Sequence, residues 1–271
     1  NNWDRTALLT TQNMYEASIK NPILKIAYVI PKFYPENGGA ETNCYELARR
    51  MVENGHEVTV LTANNPKNSF PKEEVISGIR VKRHRRFNNL YYLGFYPGLF
   101  RGLIKTRADI VHVHGFGFFW HDLFLIVGKI FRSKVIFINT PHGPFMAHGN
   151  YSLVKILMKK TYTLFQRIFL SRLYTLIIQV NPEQYKWLKS YGIKKSKIKY
   201  LPNGINESEL NPVKTTKALD KYNLKRRYLI AYTGRFEEYK GIQQVINTLP
   251  QIAQIKPNVR FVVMGRSGNY L

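Results

Sequence analysis

The sequence has little of several residue types, and each scarcity excludes a class of protein. The single cysteine, Cys44, excludes an intramolecular disulfide and any metal site that needs several cysteines. No run of about 18 apolar residues is free of charge, so no transmembrane helix is predicted. The first 22 residues lack a basic stretch followed by an apolar one, so no signal peptide is predicted either. We therefore expect a protein of the cytoplasm.

Acidic residues are scarce as well, which leaves a net charge of +24. Between residues 123 and 200 there are fourteen Lys and Arg against one acid, Glu183, and such a field favours a polyanionic partner. Neither zinc-finger spacing nor an RNA-recognition signature occurs, so no nucleic acid is expected. Aromatic residues among these cations favour the anionic inner face of a membrane, with a solvated basic surface as the alternative. The aromatic residues are Phe116, Phe118, Phe119, Trp120, Phe165 and Phe169.

Short apolar runs alternate with helical stripes along most of the chain. Leu24–Ile30 is predicted to be a buried strand, and a loop with Gly38 and Gly39 leads from it into a helix. Further strands are predicted at Glu57–Leu61, Ile79–Val81, Asp109–Val113, Lys134–Ile138, Leu176–Val180 and Ile198–Leu201, and long helices at Phe119–Phe131 and Leu153–Leu173. Strand–helix alternation of this kind predicts an α/β fold with a parallel sheet.

The chain of 271 residues is long enough for two ordinary domains, and its 44% apolar content indicates a globular protein. We predict an N-terminal extension at 1–22, a first α/β domain at 23–206 and a second at 207–271. In the second domain, strands are predicted at Tyr228–Tyr232 and Arg260–Met264, and a helix at Ile242–Ile255. One βαβ unit leaves sheet edges uncovered, so this domain is predicted to be incomplete.

Two cations occupy the loop between the strand and the helix of the second domain. Arg235 follows Gly234 at the end of the strand, and Lys240 precedes Gly241 at the start of the helix. Because helix N-termini bind anions at the carboxyl ends of parallel strands, the pair suits a diphosphate. The glycines at 38 and 39 would let backbone approach a phosphate in the same way. Two solvated charges, and a flexible glycine loop, are the respective alternatives.

Histidines stand at two predicted strand ends. His114 follows the strand Asp109–Val113, and His142 follows the strand Lys134–Ile138. Since the carboxyl ends of parallel strands line the site in such folds, both are candidate site residues. His121 and His148 are weaker candidates. For His114 and His142 the alternative is a packed histidine bonded to backbone.

Six short motifs occur in order along the chain. They are Gly38-Gly39-Ala40-Glu41, Gly55-His56-Glu57-Val58, Val111-His112-Val113-His114-Gly115, Thr140-Pro141-His142-Gly143, Pro202-Asn203-Gly204-Ile205, and Gly234-Arg235 with Lys240-Gly241. Together they resemble the retaining, nucleotide-sugar-dependent glycosyltransferases of family 4, over about residues 23 to 271. The resemblance implies the GT-B architecture. It makes 23–206 a complete, acceptor-side Rossmann-like domain and 207–271 the beginning of a nucleotide-sugar-binding one.

The resemblance also implies roles for the candidate residues. His142 would be the catalytic histidine that contacts the donor sugar, and His114 would line the acceptor or sugar pocket. Gly38, Gly39, Arg235 and Lys240 would bind the donor diphosphate. The expected donor is a nucleotide-diphosphate sugar, and the expected acceptor is a glycan or a lipid-linked saccharide. The enzyme would be a hexosyltransferase.

The sequence contains no Asp-x-Asp, the usual ligand motif for a metal-bridged diphosphate. Cationic side chains and helix ends must then neutralise the leaving group, so no metal and no further cofactor is expected. For this family the resemblance implies transfer with retention, in which catalysis is mostly positioning and leaving-group stabilisation, without an obligatory protein nucleophile.

The chain departs from the family pattern at its end. Family members carry two glutamates seven residues apart beyond the last motif, and these are absent here, which predicts a C-terminally truncated transferase. The alternative is a non-catalytic fragment or acceptor-binding module of such an enzyme. A nucleotide-dependent dehydrogenase is disfavoured, because no Gly-x-Gly-x-x-Gly follows the first strand and no acid ends the second.

Overall fold

The computed structural model describes residues 22–36, 38–64, 70–88, 90, 92–146, 151–211 and 216–265. The predicted N-terminal extension up to residue 21 and the weaker candidate His148 lie outside these residues. The chain divides into two compact units, Asn1–Leu210 and Asn211–Leu271. Among the described residues, no helix combines the length and the apolar character needed to cross a bilayer.

The first unit is built on one sheet with the strand order β3-β4-β2-β1-β5-β6-β7-β8. Its strands are β1 (Lys25–Val29), β2 (Glu57–Asn64), β3 (Glu73–Ile76), β4 (Ile79–Arg85), β5 (Ile110–His114), β6 (Ile136–Thr140), β7 (Leu176–Gln179) and β8 (Ile198–Tyr200). All neighbours pair in parallel except β3 and β4, which form an antiparallel pair. The parallel sheet confirms the fold class predicted from strand–helix alternation.

Helices connect the parallel strands. They are α1 (Gly39–Glu53), α2 (Gly98–Thr106), α3 (Phe119–Phe131), α4 (Leu153–Phe165) and α5 (Gln184–Ser190). After α4 the chain continues through a π-helical turn, Gln166–Leu170, into Ser171–Leu173. The single long helix predicted over residues 153–173 is thus one continuous segment with a wider turn inside it.

Both faces of the sheet are covered, as the apolar strands require. Successive side chains of a strand point to opposite faces, and β1 illustrates this. Ala27 and Val29 pack in one core cluster with Leu125 of α3, whereas Ile26 and Tyr28 pack in the other. Burial on both sides explains why the strands lack polar alternation.

The antiparallel β3 and the full length of β4 were missed from the sequence, which predicted a strand only at Ile79–Val81. The basic residues Lys82–Arg85 that follow also belong to β4. Their side chains alternate between the two faces of the strand, and Arg83 is the buried one among them. Arg83 is only 4% exposed. Its guanidinium pairs with Glu74 of β3 and donates to the Tyr34 carbonyl at 2.5 Å. A charge with partners on both sides is compatible with a buried strand position.

The second unit contains β9 (Tyr228–Thr233), α7 (Ile242–Ile255) and β10 (Val259–Met264), preceded by the short helix α6 (Lys217–Lys221). The two strands are parallel and join through α7, which is the predicted βαβ unit. Every side chain of β9 and β10 is half-buried or exposed, and Ile242 is the buried residue of α7.

Candidate functional site

Two histidines meet at the carboxyl ends of adjacent strands of the first unit. His114 is the last residue of β5, and its register partner on β6 is Thr140, two residues before His142. Nδ1 of His114 and Nε2 of His142 lie 3.1 Å apart in a hydrogen bond, and the two rings stack with centroids 5.4 Å apart. The structure therefore brings together the two histidines that the sequence placed separately at strand ends.

A third histidine, His112, extends this pair into the sheet, and the sequence analysis did not select it. Its Nε2 lies 2.7 Å from the Thr140 hydroxyl, and its ring centroid is 4.6 Å from that of His114. The signal was present in the His-x-His spacing, because alternate residues of a strand share one face. Tyr28 of β1 packs against both rings.

Burial keeps these imidazoles neutral. Desolvation, with a smaller contribution from the nearby His142, lowers the pKa of His112 from 6.5 to about 3. Desolvation also lowers the pKa of His142 to about 4, and it holds the pKa of His114 well below its usual value, with His112 and His142 adding to the effect. A neutral imidazole has one donor and one acceptor nitrogen, so the pair can hydrogen-bond hydroxyl groups at pH 7 without carrying charge.

The histidine pair retains hydrogen-bonding capacity that no described residue uses. His114 is 1% exposed, and its Nε2 is buried without a hydrogen-bond partner in the described part of the chain. His142 is half-buried, and among the described residues its only hydrogen bond is the one to His114. An unpaired buried nitrogen costs free energy until a partner reaches it. A sugar hydroxyl is such a partner.

The glycine turn begins a helix, as predicted. Gly38, nine residues beyond the end of β1, occupies the N-cap position of α1. Gly39 is the first residue of that helix. Gly38 has an extended backbone with φ of −168°, which any residue adopts, so a positive φ is not its reason. A Cβ atom on Gly39 would meet no heavy atom within 4 Å. The space beside Gly39 is therefore open, whereas the Glu41 carboxylate occupies the space beside Gly38 at the same helix end.

The motif Pro202–Ile205 packs beside the same helix. Asn43, only 3% exposed, donates through Nδ2 to Oδ1 of Asn203 at 3.0 Å, and Arg50 donates to Asn206 at 3.2 Å. Asn43 could not be selected from the sequence, because its partner lies 160 residues away. These bonds tie the end of the first unit to the helix that starts at the glycine turn.

Asp122 is a buried carboxylate behind the site that the sequence analysis also missed. Tyr162 donates to it, the Gly117 amide donates to it at 3.3 Å, and Nδ1 of His121 lies 3.3 Å from it. His121 is fully buried in this network. His121 is thus packed in the interior against a carboxylate, and the network fixes the loop that follows His114.

Arg235 and Lys240 belong to the second unit. The Arg235 guanidinium donates to the Tyr239 hydroxyl at 3.1 Å, and the Lys240 ammonium lies 5.3 Å from the ring centroid of Tyr239. One aromatic side chain thus contacts both cations. Gly241, with φ of 76°, then caps the N-terminus of α7, a conformation that favours glycine. Both cations precede a helix N-terminus, as the sequence predicted.

The donor set of the site is nitrogen-rich and poor in carboxylates. Among the described residues, no three His, Cys, Asp or Glu side chains are grouped so as to hold a metal ion. The absence of a metal stays a prediction. The first unit contributes neutral imidazoles and the N-terminus of α1. The second unit, taken by itself, contributes two cations and the N-terminus of α7.

The chain is similar to curated glycosyltransferases. It is 21% identical to a phosphatidylinositol N-acetylglucosaminyltransferase GPI3 subunit of Saccharomyces cerevisiae strain YJM789, covering 91% of this chain and 54% of that protein. It is 24% identical to a phosphatidyl-myo-inositol mannosyltransferase of Mycobacterium tuberculosis, covering 89% of this chain and 60% of that protein. The chain thus spans a little over half the length of these relatives.

A solved structure shares the fold. The structure of Anabaena HepE in complex with UDP and glucose matches with a TM-score of 0.64 at 15% identity, covering 90% of this chain and 62% of that one. The likeness confirms the predicted α/β fold of the GT-B type. Residues 37–209, more than half of the chain, match the family described as Glycosyltransferase Family 4. The chain therefore belongs to glycosyltransferase family 4.

Proposed function

We propose that this protein transfers a hexose from a nucleotide-diphosphate sugar to a lipid-linked or glycan acceptor, with retention and without a metal ion. The observation that carries the proposal is the hydrogen-bonded pair of His114 and His142 at the carboxyl edge of the sheet. Ligands of open α/β folds bind at that edge. Family membership and the relatives named above support the reaction class.

His142 contacts the donor sugar in this proposal. With its pKa lowered to about 4 by burial, it is neutral at pH 7 and serves as a hydrogen-bonding group rather than as a general acid. His114 holds its ring through the 3.1 Å bond. The buried Nε2 of His114 is available to the same sugar or to the acceptor. Positioning of this kind lowers the barrier without covalent chemistry.

Arg235 and Lys240 neutralise the donor diphosphate together with the N-terminus of α7. Charge-assisted hydrogen bonds of this type contribute about 1.5–3 kcal/mol each. In the first unit, Gly38 and Gly39 would present the start of α1 to a phosphate group. Metal independence follows if these groups carry the whole neutralisation.

The chemical step exchanges one bond at the anomeric carbon for another. The bond between C1 and the diphosphate oxygen breaks, and its electron pair leaves on the diphosphate. The acceptor hydroxyl forms the new C1–O bond on the same face of the sugar, and its proton passes to the departing diphosphate oxygen. Stabilising that leaving group is the role proposed for the two cations.

The acceptor is proposed to be reached at the cytoplasmic face of an anionic membrane. The surface of α4 supports this, because apolar and cationic side chains are exposed side by side along it. Such a mixture suits a membrane interface. The two relatives named above carry phosphatidylinositol acceptors in their printed names, which also supports a lipid acceptor.

Turnover tests the proposal directly. The protein is incubated with a panel of UDP-, GDP- and ADP-hexoses, anionic lipid vesicles and EDTA, and released nucleoside diphosphate is measured. We expect release from at least one donor in the presence of EDTA, and an NMR spectrum of the product with the anomeric configuration of the donor. Donor binding without release would favour the non-catalytic alternative. Activity only with added Mg²⁺ would contradict metal independence.

A further inference from the structure

The first unit contains an apolar groove of about 360 Å³. It is lined chiefly by Tyr92, Phe119, Phe145, Met158, Tyr162 and Phe165. Two hydroxyls of the lining already have partners, because Tyr162 donates to the buried Asp122 and Thr161 donates to carbonyls of its own helix. The groove therefore offers a carbohydrate few polar partners, and it suits a hydrocarbon.

The groove starts where the two histidine-bearing loops leave the sheet. Gly117, three residues after His114, and Phe145, three residues after His142, both line it. Three extended residues span at most about 11 Å. A molecule whose hydrocarbon end filled the groove could thus present its polar end to the histidine pair.

The helix that forms one wall of the groove is exposed in its first two turns, before the residues that line the groove. Leu153, Val154 and Leu157, in the first turns of α4, are 85%, 78% and 63% exposed. Lys155 and Lys160 on the same turns have no hydrogen bond or ion pair to any described residue. No acidic residue occurs between 123 and 182. Exposed apolar side chains with uncompensated cations are complementary to an anionic lipid surface.

We propose that the groove receives a hydrocarbon chain of a membrane lipid acceptor while the first turns of α4 lie at the headgroup boundary of an anionic bilayer. This inference rests on the proposed function and deepens it, because it selects a lipid rather than a free glycan as acceptor. The cations of α4 hold the anionic surface, and the groove draws one chain toward the site. The acceptor hydroxyl then stands beside the histidine pair.

The groove is tested with a fluorescent fatty acid, 11-(dansylamino)undecanoic acid, and with dansylglycine as the short-chain control. Each buried methylene strengthens binding about fourfold, so we expect the long probe to bind at least about 100-fold more tightly. Thr161 lies on the exposed rim of the groove and bonds only to carbonyls of its own helix. Thr161→Phe should fill the groove and weaken long-probe binding at least about tenfold.

Val75→Phe is the matched control, since Val75 is 70% exposed on the edge strand β3. It should leave probe binding unchanged. Equal binding of the two probes, or equal affinity in Thr161→Phe and Val75→Phe, would overturn the groove assignment. Because probe binding needs no donor, its failure is distinguishable from failure of the transferase reaction, which is read by turnover.

The membrane contact is tested by sedimentation with vesicles of phosphatidylglycerol and of phosphatidylcholine. We expect binding to phosphatidylglycerol alone, with a loss of at least about tenfold in the double variant Leu153→Glu/Leu157→Glu and none in Val75→Glu. Analytical ultracentrifugation without lipid tests the competing explanation, in which the same apolar surface forms a dimer. A dimer that the double variant dissociates would assign the apolar surface to a second copy of this chain and overturn the proposal.

Discussion

His114 and His142, 28 residues apart in the chain, share a hydrogen bond of 3.1 Å. In this bond His114 acts as a positioning residue, because it orients the ring proposed to contact the sugar. We expect His114→Leu to lower kcat by up to about 100-fold, with the KM for the donor changed less, since small misplacements of reacting groups cost this much. His114→Asn should recover part of the rate, because its amide nitrogen reaches the position of Nδ1.

The control for that variant is His84→Asn. His84 is also largely buried, but it lies on β4, three strand spacings or about 14 Å from β5. Steady-state kinetics should be close to those of the unaltered protein. Equal loss of kcat in the His84 and His114 variants would indicate a general effect on folding rather than positioning.

The buried histidines make the first unit sensitive to acid. Unfolded histidine titrates near 6.5, whereas burial lowers the pKa of folded His112 to about 3. As the pH falls below 6.5, His112 binds a proton in the unfolded chain but stays neutral in the folded protein. The free energy of unfolding therefore decreases between about pH 6.5 and 3. At pH 5 this one group should cost about 2 kcal/mol relative to pH 7.5.

Urea unfolding at the two pH values measures this loss. Trp120 and Trp187 both belong to the first unit, so their fluorescence reports its unfolding. In His112→Phe the difference between pH 7.5 and pH 5 should shrink by about 2 kcal/mol. An unchanged difference would mean that His112 is protonated in the folded protein.

Much of the fold could be predicted because its signals are local. Apolar runs of four to seven residues between glycines, prolines and helical stripes identify most strands of a parallel sheet. The antiparallel β3 and the length of β4 were missed, because the burial of Arg83 depends on Glu74, the Phe70 ring and the Tyr34 carbonyl, which meet it only in the folded chain. Strand propensity does not reveal which distant residues will pair with a buried charge in the folded protein.

The candidate site was predictable to the same extent. Strand-end placement identified His114 and His142, but their hydrogen bond depends on the register of β5 against β6. The contact of Asn43 with Asn203 depends on how α1 packs against a motif 160 residues away. Residue type and spacing indicate which strand end a group occupies, whereas its partners follow from packing.

A substitution at Gly39 distinguishes a role in ligand binding from a role in folding. Its Cβ position is open, and its place inside α1 tolerates alanine. Gly39→Ala should therefore keep or slightly raise the melting temperature. If a diphosphate oxygen approaches the backbone here, the added methyl group should weaken donor binding at least about tenfold, which is about 1.4 kcal/mol. Calorimetric titration with the nucleotide sugar measures it, and unchanged affinity would remove Gly39 from the donor site.

Arg235→Ala and Lys240→Ala should each weaken donor binding by about 10- to 100-fold, because each removes a charge-assisted bond to the diphosphate. The Tyr239 ring contacts both side chains, so the double variant should lose less than the sum of the two. Isothermal calorimetry with the nucleoside diphosphate alone isolates this contribution.

Lys256→Ala is the matched control for these cations. Lys256 follows the last residue of α7, roughly 20 Å from the helix N-terminus, and its removal changes the net charge of the second unit equally. The donor affinity of Lys256→Ala should stay within about twofold of that of the unaltered protein. Equal losses of donor affinity in all three variants would mean that Arg235 and Lys240 act through long-range electrostatics and not through direct bonds to the diphosphate.

Gly265 is constrained by the backbone of the Arg235 loop. A Cβ atom at Gly265 would lie 1.8 Å from the carbonyl oxygen of Gly234, whose amide donates to Met264 at 3.0 Å. A backbone oxygen cannot move aside as a side chain can, so Gly265→Ala should destabilise the second unit by about 3 kcal/mol. Hydrogen exchange of the β9 and β10 amides should accelerate accordingly. Gly143→Ala, with no atom within 4 Å of its Cβ position, should leave that exchange unchanged. Slow exchange in both variants would show that Gly265 can relax away from the loop that holds Arg235.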